Sequence, residues 1–334
     1  MNSIQALIPI SSRQIWDQVN QVVKEKWFPQ HEGGVRCYSS QLQALAELAL
    51  GTGQFLSHKK NVVVVGGSNP SFEMLTPSFL REGLQVLNLL NQELPRTLPD
   101  AKTWVEGLPK DTAYVLFSED HVVTAEVFFW EFLDEALNEK RIHSLRMSHH
   151  RHREDCRTLK VRPFSVRICL LDLNHVVALT GSRFRTPPGL VAGMNWELDF
   201  VSQIDHLLNR QDFMLGPELV KEFEAKMGEF AFLTTTSRVY DRAVLCFREI
   251  NSDRMIDHFR GRLGLIAGTN LCSWASFRMM SGWWKPSPSP EELRGLLLIP
   301  VLALNDKCLI NDIKQLYDKF VREQSWVIKP REKT

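Results

Sequence analysis

Three short segments of the chain carry side chains that could bind an anion or a metal ion. The first is the turn Gly66–Pro70, in which Gly67, Ser68 and Asn69 offer backbone N–H groups and small polar side chains. It follows four consecutive valines and precedes a predicted helix. Free N–H groups at a helix start and the helix dipole together favour an anion. The turn therefore predicts a phosphate site, and a plain tight turn after a buried strand is the alternative.

The second segment is Thr180–Gly189, which places Ser182, Arg183 and Arg185 in a turn stiffened by two prolines and two glycines. A predicted strand leads into this turn, and α/β proteins usually bind ligands where strands end. These three side chains are therefore candidate ligands of an anion. A basic surface loop after a strand is the alternative.

The third segment contains three histidines within four residues, His149, His150 and His152. Their spacing matches no standard zinc pattern, and neighbouring side chains of an extended segment point to opposite faces. We therefore interpret the segment as a solvated polar loop and predict no metal site, with a metal-dependent enzyme as a third possibility. His121 directly follows a predicted strand and is the better isolated candidate.

Strand and helix patterns alternate through the first two thirds of the chain. The run of β-branched residues before Gly66 is typical of a central strand in a parallel sheet. A loop is predicted around His31 and Gly33. The alternation predicts an α/β fold: a large domain with a mostly parallel sheet and helices on both faces. Predicted helices cover residues 12–26, 39–56, 71–82 and 125–137, and predicted strands cover residues 61–65, 84–89, 113–117, 142–147, 166–171 and 176–180.

The pattern changes after about residue 210. We predict a smaller α+β C-terminal domain there, with strands over residues 239–247 and 265–267, an apolar segment over 296–302, and helices over 252–262 and 312–323. The predicted domains are an N-terminal helix and arm over residues 1–37, the large α/β domain over 38–210, and the small domain over 211–334.

The composition is that of an ordinary globular protein. The 334 residues are 44% hydrophobic and carry a formal net charge of +1, so nothing indicates a nucleic-acid or membrane-surface partner, since both favour a basic face. No apolar run approaches the roughly 18 residues that span a bilayer, and no signal-peptide pattern is present. Six scattered cysteines without a Cys-x-x-Cys pair indicate reduced thiols. We therefore expect a cytoplasmic protein.

Taken together, these segments resemble the fold-type-I pyridoxal-phosphate (PLP) enzymes of the aminotransferase superfamily, particularly the class V-like branch. The resemblance runs from about Tyr38 to Ile299. It implies that the glycine turn after Val65 holds the cofactor phosphate and that His121 stacks on the pyridine ring. Arg278, which follows a short apolar segment, would bind the substrate carboxylate.

The chain departs from this family at the cofactor lysine. The family's lysine lies in a loop of the form Gly-Ser-x-Lys-x-x-x-x-Pro-Pro-Gly, and Gly181–Gly189 reads Gly-Ser-Arg-Phe-Arg-Thr-Pro-Pro-Gly. A guanidinium group, with a pKa above about 12, is a poor imine-forming nucleophile. The resemblance therefore implies that PLP is a possible cofactor without an internal aldimine at the usual position. Arg183 and Arg185 would keep the positive charge.

The sequence thus predicts a divergent PLP-dependent aminotransferase-like protein that binds a phosphate-bearing or anionic small molecule between its two domains. If active, it would be a transferase of the aminotransferase type, but no catalytic residue can be named. The alternative is a catalytically inactive fold-type-I homologue that serves as a dimeric scaffold or partner-binding protein. A homodimer is expected in either case, and the aromatic stretches Phe128–Trp130 and Trp283–Trp284 are candidate interface residues.

Overall fold

Two β-sheets organise the described parts of the chain, one of seven strands and one of three. They are seen in a computed structural model that describes residues 12–38, 40–50, 58–65, 70–89, 95–120, 130–148, 159–170, 176–184, 216–231, 242–247, 250–259, 266–267 and 295–327.

The seven-stranded sheet has the strand order β1-β7-β6-β5-β4-β2-β3. Neighbouring strands from β6 to β3 are parallel, whereas β7 pairs antiparallel with both β6 and β1. Among the strands described in this sheet, β7 alone runs in the reverse direction. The strands are β1 (Gly34–Tyr38), β2 (Asn61–Val65), β3 (Gln85–Leu89), β4 (Thr112–Ser118), β5 (His143–Ser148), β6 (Ser165–Leu170) and β7 (Val176–Thr180).

Helices connect these strands and cover both faces of the sheet. The π-helical turn Ala46–Leu50 continues the second helix. The fourth helix begins at an N-cap, Thr97, whose hydroxyl accepts a hydrogen bond from the backbone N–H of Asp100. The helices are α1 (Ser12–Trp27), α2 (Gln41–Leu45), α3 (Pro70–Arg81), α4 (Leu98–Glu106) and α5 (Trp130–Glu139).

The first face of the sheet packs against α2 and α3. Its apolar cluster contains Leu45, Phe72 and Phe79 from the helices and alternate residues of the strands, such as Val64 and Leu116. Side chains two residues apart along a strand share a face, so the period-two pattern of the strands builds this core.

The second face has two apolar clusters separated by a polar strip. One cluster joins α1 to β1 and β7 around Val23 and Val177, and the other joins α4 and α5 to β2 and β4 around Phe117 and Leu133. Between them, β5 and β6 present buried polar and charged side chains to α5: Ser144, Arg146, Ser148, Ser165 and Arg167.

The three-stranded sheet is antiparallel, in the order β8-β10-β9. Its core joins Phe223, Leu245, Ile299 and Phe320. A Cβ on Gly295 would lie 1.7 Å from the carbonyl oxygen of Phe247, so the chain can approach β8 this closely only at a glycine. The elements are β8 (Arg242–Cys246), β9 (Ile266–Ala267) and β10 (Leu296–Pro300), with α6 (Gly216–Met227), α7 (Ser252–Phe259) and α8 (Leu309–Val327).

The predicted fold class is confirmed: a large, mostly parallel sheet with helices on both faces and a smaller α+β part. The segment that was predicted to be a loop around Gly33 continues into a strand, β1, which pairs with β7 in the sheet. The predicted domain boundaries at residues 37 and 210 stay predictions. None of the helices in the described parts of the chain is long and apolar enough to cross a membrane.

Candidate functional site

The parallel strands give the seven-stranded sheet two chemically different edges. At the carboxyl edge, β2, β4, β5 and β6 end at Val65, Ser118, Ser148 and Leu170. At the amino edge these strands begin. Because β7 is reversed, its last residue, Thr180, lies at the amino edge. Open α/β sheets bind ligands at the carboxyl ends of their parallel strands, so the carboxyl edge is the candidate site.

A buried hydroxyl without a partner lies at the carboxyl edge on the first face. Ser118 ends β4, and its Oγ has no hydrogen-bond partner among the residues that the structure describes. Its pairing neighbour on β5, Met147, accepts a 3.4 Å contact on its sulfur from the amide nitrogen of Gln41, the first residue of α2. The Ser40 hydroxyl accepts a 3.2 Å hydrogen bond from the backbone N–H of Gln43, so it caps this helix start. A buried hydroxyl without a partner can donate a hydrogen bond to a polar or anionic ligand, and the free N–H groups of a helix start favour the same kind of ligand.

A chain of ion pairs fills the carboxyl edge on the second face. Glu119, which follows β4, contacts Arg146 of β5 at 2.9 Å and Arg167 of β6 at 2.7 Å. The contact with Arg167 is a hydrogen-bonded ion pair, whereas the one with the Arg146 Nε is an ion pair without hydrogen-bond geometry. All three side chains are buried. The carboxylate of Glu119 is therefore committed to two guanidinium groups.

Asp134 of α5 extends this chain of charges. One carboxylate oxygen accepts hydrogen bonds from the hydroxyls of Ser144 at 2.7 Å and Ser165 at 2.6 Å. The other accepts a 2.7 Å hydrogen bond from Arg146. Glu119 and Asp134 thus balance the charges of Arg146 and Arg167, and the helix is fixed to two strands.

An aromatic ring covers the two guanidinium groups. Trp130, the first residue of α5, has its ring centroid 4.0 Å from the guanidinium carbon of Arg146 and 5.9 Å from that of Arg167. A guanidinium over an indole face is attracted by the ring quadrupole. Trp130 belongs to an aromatic stretch that was predicted as an interface, and its ring here packs on the protein's own arginines.

A further ion pair connects the two sheets. Asp120, fully buried beyond the end of β4, accepts a 3.2 Å hydrogen bond from Arg242, the first residue of β8. The two residues are 122 positions apart in the chain. The two adjacent carboxylates at this strand end, Glu119 and Asp120, are therefore both engaged by arginines.

The amino edge contains one buried histidine, His31, and one partly buried histidine, His143, beside the turn after β7. The Nε2 of His31 lies 3.1 Å from the carbonyl oxygen of Thr180, and burial lowers its pKa. His143 begins β5 and packs edge-on against Phe164 and Phe184. Burial, with the nearby charge of Lys59, lowers the pKa of His143 to about 4.

Two predicted anion ligands, Ser182 and Arg183, are exposed and lie at the amino edge. The backbone N–H of Arg183 donates a 2.8 Å hydrogen bond to the carbonyl of Pro163, just before β6 begins. A strand of five or six residues is roughly 17–20 Å long, and β7 lies four strands from β2, so these side chains are at least that far from the carboxyl end of β2. The structure therefore does not bring Arg183 to the edge where the glycine turn begins, and the role of Ser182 and Arg183 as cofactor ligands beside that turn stays a prediction.

The other predicted ligands lie outside the described residues. They are Gly67, Ser68 and Asn69, which follow β2 in the sequence, His121, which follows Asp120, and Arg185, Arg278, His149, His150 and His152. Their roles stay predictions. In the described parts of the chain, no three His, Cys, Asp or Glu side chains converge as metal ligands.

The sequence interpretation missed the buried charges on β5 and β6. A signal was present, because Ser144, Arg146 and Ser148 alternate with apolar residues in β5, and Ser165 and Arg167 do so in β6. Such alternation normally marks a face in contact with water. Only the position of α5 shows that this polar face is covered.

Several solved structures share this architecture. A NifS-like protein from Rickettsia africae has a TM-score of 0.63 at 10% identity, covering 94% of this chain and 90% of its own. A cysteine desulfurase from Thermococcus onnurineus has a TM-score of 0.61 at 11% identity, covering 93% and 85%. A serine palmitoyltransferase from S. paucimobilis, solved with a bound PLP–myriocin aldimine, has a TM-score of 0.53 at 11% identity, covering 96% and 79%.

No model of a protein family matches the chain, and no curated protein matches it. At identities of 9–12%, the likeness to solved structures concerns the fold. The strand order, the single reversed strand of the described sheet and these neighbours agree, and the chain has the fold of the fold-type-I PLP-dependent enzymes, as its sequence predicted.

Proposed function

We propose that this protein is a divergent, aminotransferase-like member of the fold-type-I architecture that binds a phosphate-bearing or anionic small molecule between its two domains, without a lysine to bind it covalently. PLP is the first candidate, because PLP-dependent enzymes share the fold. When bound in such enzymes, PLP serves as an electron sink for chemistry next to an amino group.

The absence of lysine from the segments that directly follow the parallel strands is the observation that carries this proposal. The segments that follow β2, β3, β4, β5 and β6 span residues 66–69, 90–97, 119–129, 149–158 and 171–175, and none contains a lysine. Residues 171–175 lead from β6 into β7 and so begin at the carboxyl edge, unlike the Ser182–Arg185 turn. An imine with PLP requires an amine nucleophile, and these segments offer none.

Residues at this edge nevertheless suit an anion. The Ser118 hydroxyl is buried and free to donate a hydrogen bond, and α2 starts beside it. The predicted ligands Gly67, Ser68, Asn69 and His121 follow β2 and β4 in the sequence. In this proposal they add N–H groups and a ring to the same edge.

Binding can be separated from covalent attachment by experiment. Purified protein is incubated with PLP, or with inorganic phosphate, and its melting temperature is recorded along with its visible absorbance. We expect a higher melting temperature, since ligands that bind the folded state stabilise it, but no imine band and no adduct after borohydride reduction. A lysine adduct found by mass spectrometry would overturn the lysine-free site. No stabilisation by either ligand would overturn anion binding.

Two serine variants test the position of the site. Ser118→Ala removes the unpartnered hydroxyl and should weaken PLP binding with little change in stability. Ser144→Ala removes a hydroxyl that donates to Asp134, so it should lower stability and leave PLP affinity unchanged. Equal effects of the two variants on affinity would contradict a site at Ser118.

The second candidate function is a catalytically silent scaffold. The observation in its favour is that Glu119 and Asp120, the carboxylates at the end of β4, are both held by arginines. Neither is then free to act as a general base. In this case neither PLP nor phosphate should bind, and sedimentation equilibrium should show a homodimer.

A further inference from the structure

A row of positive side chains runs along the amino edge of the seven-stranded sheet. Lys59 and Lys60 directly precede β2, Lys110 precedes β4, Arg141 precedes β5, and Arg183 follows the end of β7. Lys59 is half-buried, and the other four side chains are exposed. We call these five residues the basic row.

The charges of the basic row are not neutralised. None of the five side chains has an ion-pair partner in the described parts of the chain. Between them at β6 lies Arg162, which pairs with Glu135 at 2.7 Å. The acid nearest in sequence, the half-buried Asp111, accepts a hydrogen bond from the side chain of Asn61 and keeps its own negative charge, so it offsets one of the five positive charges without pairing with any of them. A chain with a formal net charge of only +1 therefore concentrates unpaired positive charge at one edge.

The dimensions of the row limit what can bind to it. From β2 to β7 there are four steps between neighbouring strands, which is about 19 Å at roughly 4.8 Å a step. Exposed acidic residues precede the next strand at each end, Glu82 before β3 and Glu32 before β1. The surface that attracts an anionic ligand is therefore one row of side chains wide and about as long as six residues of extended chain.

Arg141 holds its place in the row with a strained backbone. Its φ of 56° is left-handed, and the N–H of Ile142 donates to the carbonyl of Leu137 to close the end of α5. The same closing bond, from Leu84 to Phe79, ends α3, and there glycine occupies the left-handed position, Gly83, with a φ of 76°. Glycine adopts this conformation readily and arginine does not. The backbone conformation at the end of α5 favours glycine, so it does not explain why arginine occupies position 141.

We propose that the basic row binds an extended acidic segment of a partner protein. Carboxylates on such a segment match the charge and length of the row. A membrane surface would extend past Glu32 and Glu82 and meet their charges. Binding of single-stranded nucleic acid uses exposed aromatic rings for stacking, and the aromatic rings described at this edge, Phe164 and Phe184, pack on His143.

The proposal is tested with a fluorescein-labelled octaglutamate peptide and the full-length protein, by fluorescence anisotropy at low and at physiological salt. The row variant is Lys60→Gln/Lys110→Gln, which removes two exposed lysines of the basic row. The matched control is Lys307→Gln/Lys319→Gln, which removes two exposed lysines elsewhere. We expect the row variant to bind about 3- to 10-fold more weakly and the control to bind like the wild type.

Arg141→Gly separates binding from folding. Because glycine suits the left-handed position, we expect a melting temperature that is unchanged or about 2 °C higher, with peptide binding about 2- to 5-fold weaker. A structural role for Arg141 would instead lower the melting temperature.

An octathymidylate and phosphatidylserine vesicles serve as competing probes in the same assay. Row-dependent binding of either probe, without binding of the peptide, would overturn the proposal in favour of that partner class. Equal weakening by the row and control variants would also overturn it, as would a failure of the peptide to bind.

Discussion

At the scale of single residues, the second face of the large sheet depends on one carboxylate. Asp134 is completely buried and accepts hydrogen bonds from two serines and one arginine. Charges are stable in a protein interior when they are paired and hydrogen-bonded, and removing one partner leaves the other uncompensated. The stability of this face should therefore be far more sensitive at Asp134 than at nearby surface charges.

Replacement of Asp134 tests this dependence. Asp134→Ala leaves Arg146 without its partner on α5 and two buried hydroxyls without an acceptor, so we expect a loss of about 3–5 kcal/mol in the free energy of unfolding. The control is the next residue, Glu135→Ala, whose pair with Arg162 is partly exposed and should contribute less than about 1 kcal/mol. Urea unfolding measures both, and similar losses would contradict the assigned role.

His143 should make the stability of the protein depend on pH. Burial lowers the pKa of His143 from 6.5 to about 4, so the unfolded chain takes up this proton at a higher pH than the folded protein. Stability should fall as the pH falls from about 6.5 to 4, by about 3 kcal/mol for this group. Unfolding free energies measured across this range check the prediction.

His143→Leu keeps an apolar side chain between Phe164 and Phe184 and cannot titrate. The variant should lose most of this pH dependence, while His31, whose pKa is also lowered by burial, keeps a smaller slope of the same sign. An unchanged slope in His143→Leu would show that another group is responsible.

At the scale of elements, strand β1 depends on a glycine before it. A Cβ on Gly33 would lie 1.7 Å from the carbonyl oxygen of Thr180, at the end of β7. No side chain fits unless the two strands separate. Gly33→Ala should therefore cost at least about 2 kcal/mol, measured by thermal unfolding. Gly107→Ala, where the nearest atom would be 3.4 Å away, is the control and should change stability by less than about 0.5 kcal/mol.

A comparison of β2 with β1 shows which strands the sequence could predict and which it could not. Val62–Val65 is apolar on both faces and was recognised as a central strand, and the structure buries all four residues. In β1, Val35 and Cys37 alternate with Arg36 and Tyr38, but the strand is only five residues long, follows Gly33 and begins at a second glycine, Gly34. Such a short signal is not distinct from a loop until the pairing with β7 is known.

At the scale of the whole molecule, one ion pair joins the two sheets. The contact between Asp120 and Arg242 is 3.2 Å long, and both side chains are buried. Arg242→Met retains the length of the side chain but leaves the Asp120 carboxylate with less compensation. We expect a loss of about 2–4 kcal/mol and a separation of the unfolding of the two sheets into two calorimetric transitions.

The control for Arg242→Met is an exposed ion pair between α4 and α5, two helices that pack on the seven-stranded sheet. Lys102→Met breaks a 2.8 Å contact with Glu139, in which both side chains are about half exposed, and should cost less than about 1 kcal/mol with a single transition as in the wild type. A single, unshifted transition in Arg242→Met would show that the two sheets are held together by other contacts.

The sequence alone determined the fold class, the extents of most strands and helices, and the lack of lysine in the turn Gly181–Gly189. Local periodicity and residue type encode these features, because each depends only on neighbours along the chain. The resemblance to PLP enzymes was also visible at this level, since it rested on the order of the elements.

Only the tertiary structure decided which edge of the sheet each loop occupies. The turn with Arg183 follows a strand as the turn with Gly67 does, and the two were predicted to share a pocket. The direction of a strand depends on distant partners, and β7 pairs antiparallel with β6 and β1. That reversal moves Arg183 to the amino edge. Likewise, only the packing of α5 shows that Arg146 and Arg167 are buried and paired rather than exposed to water.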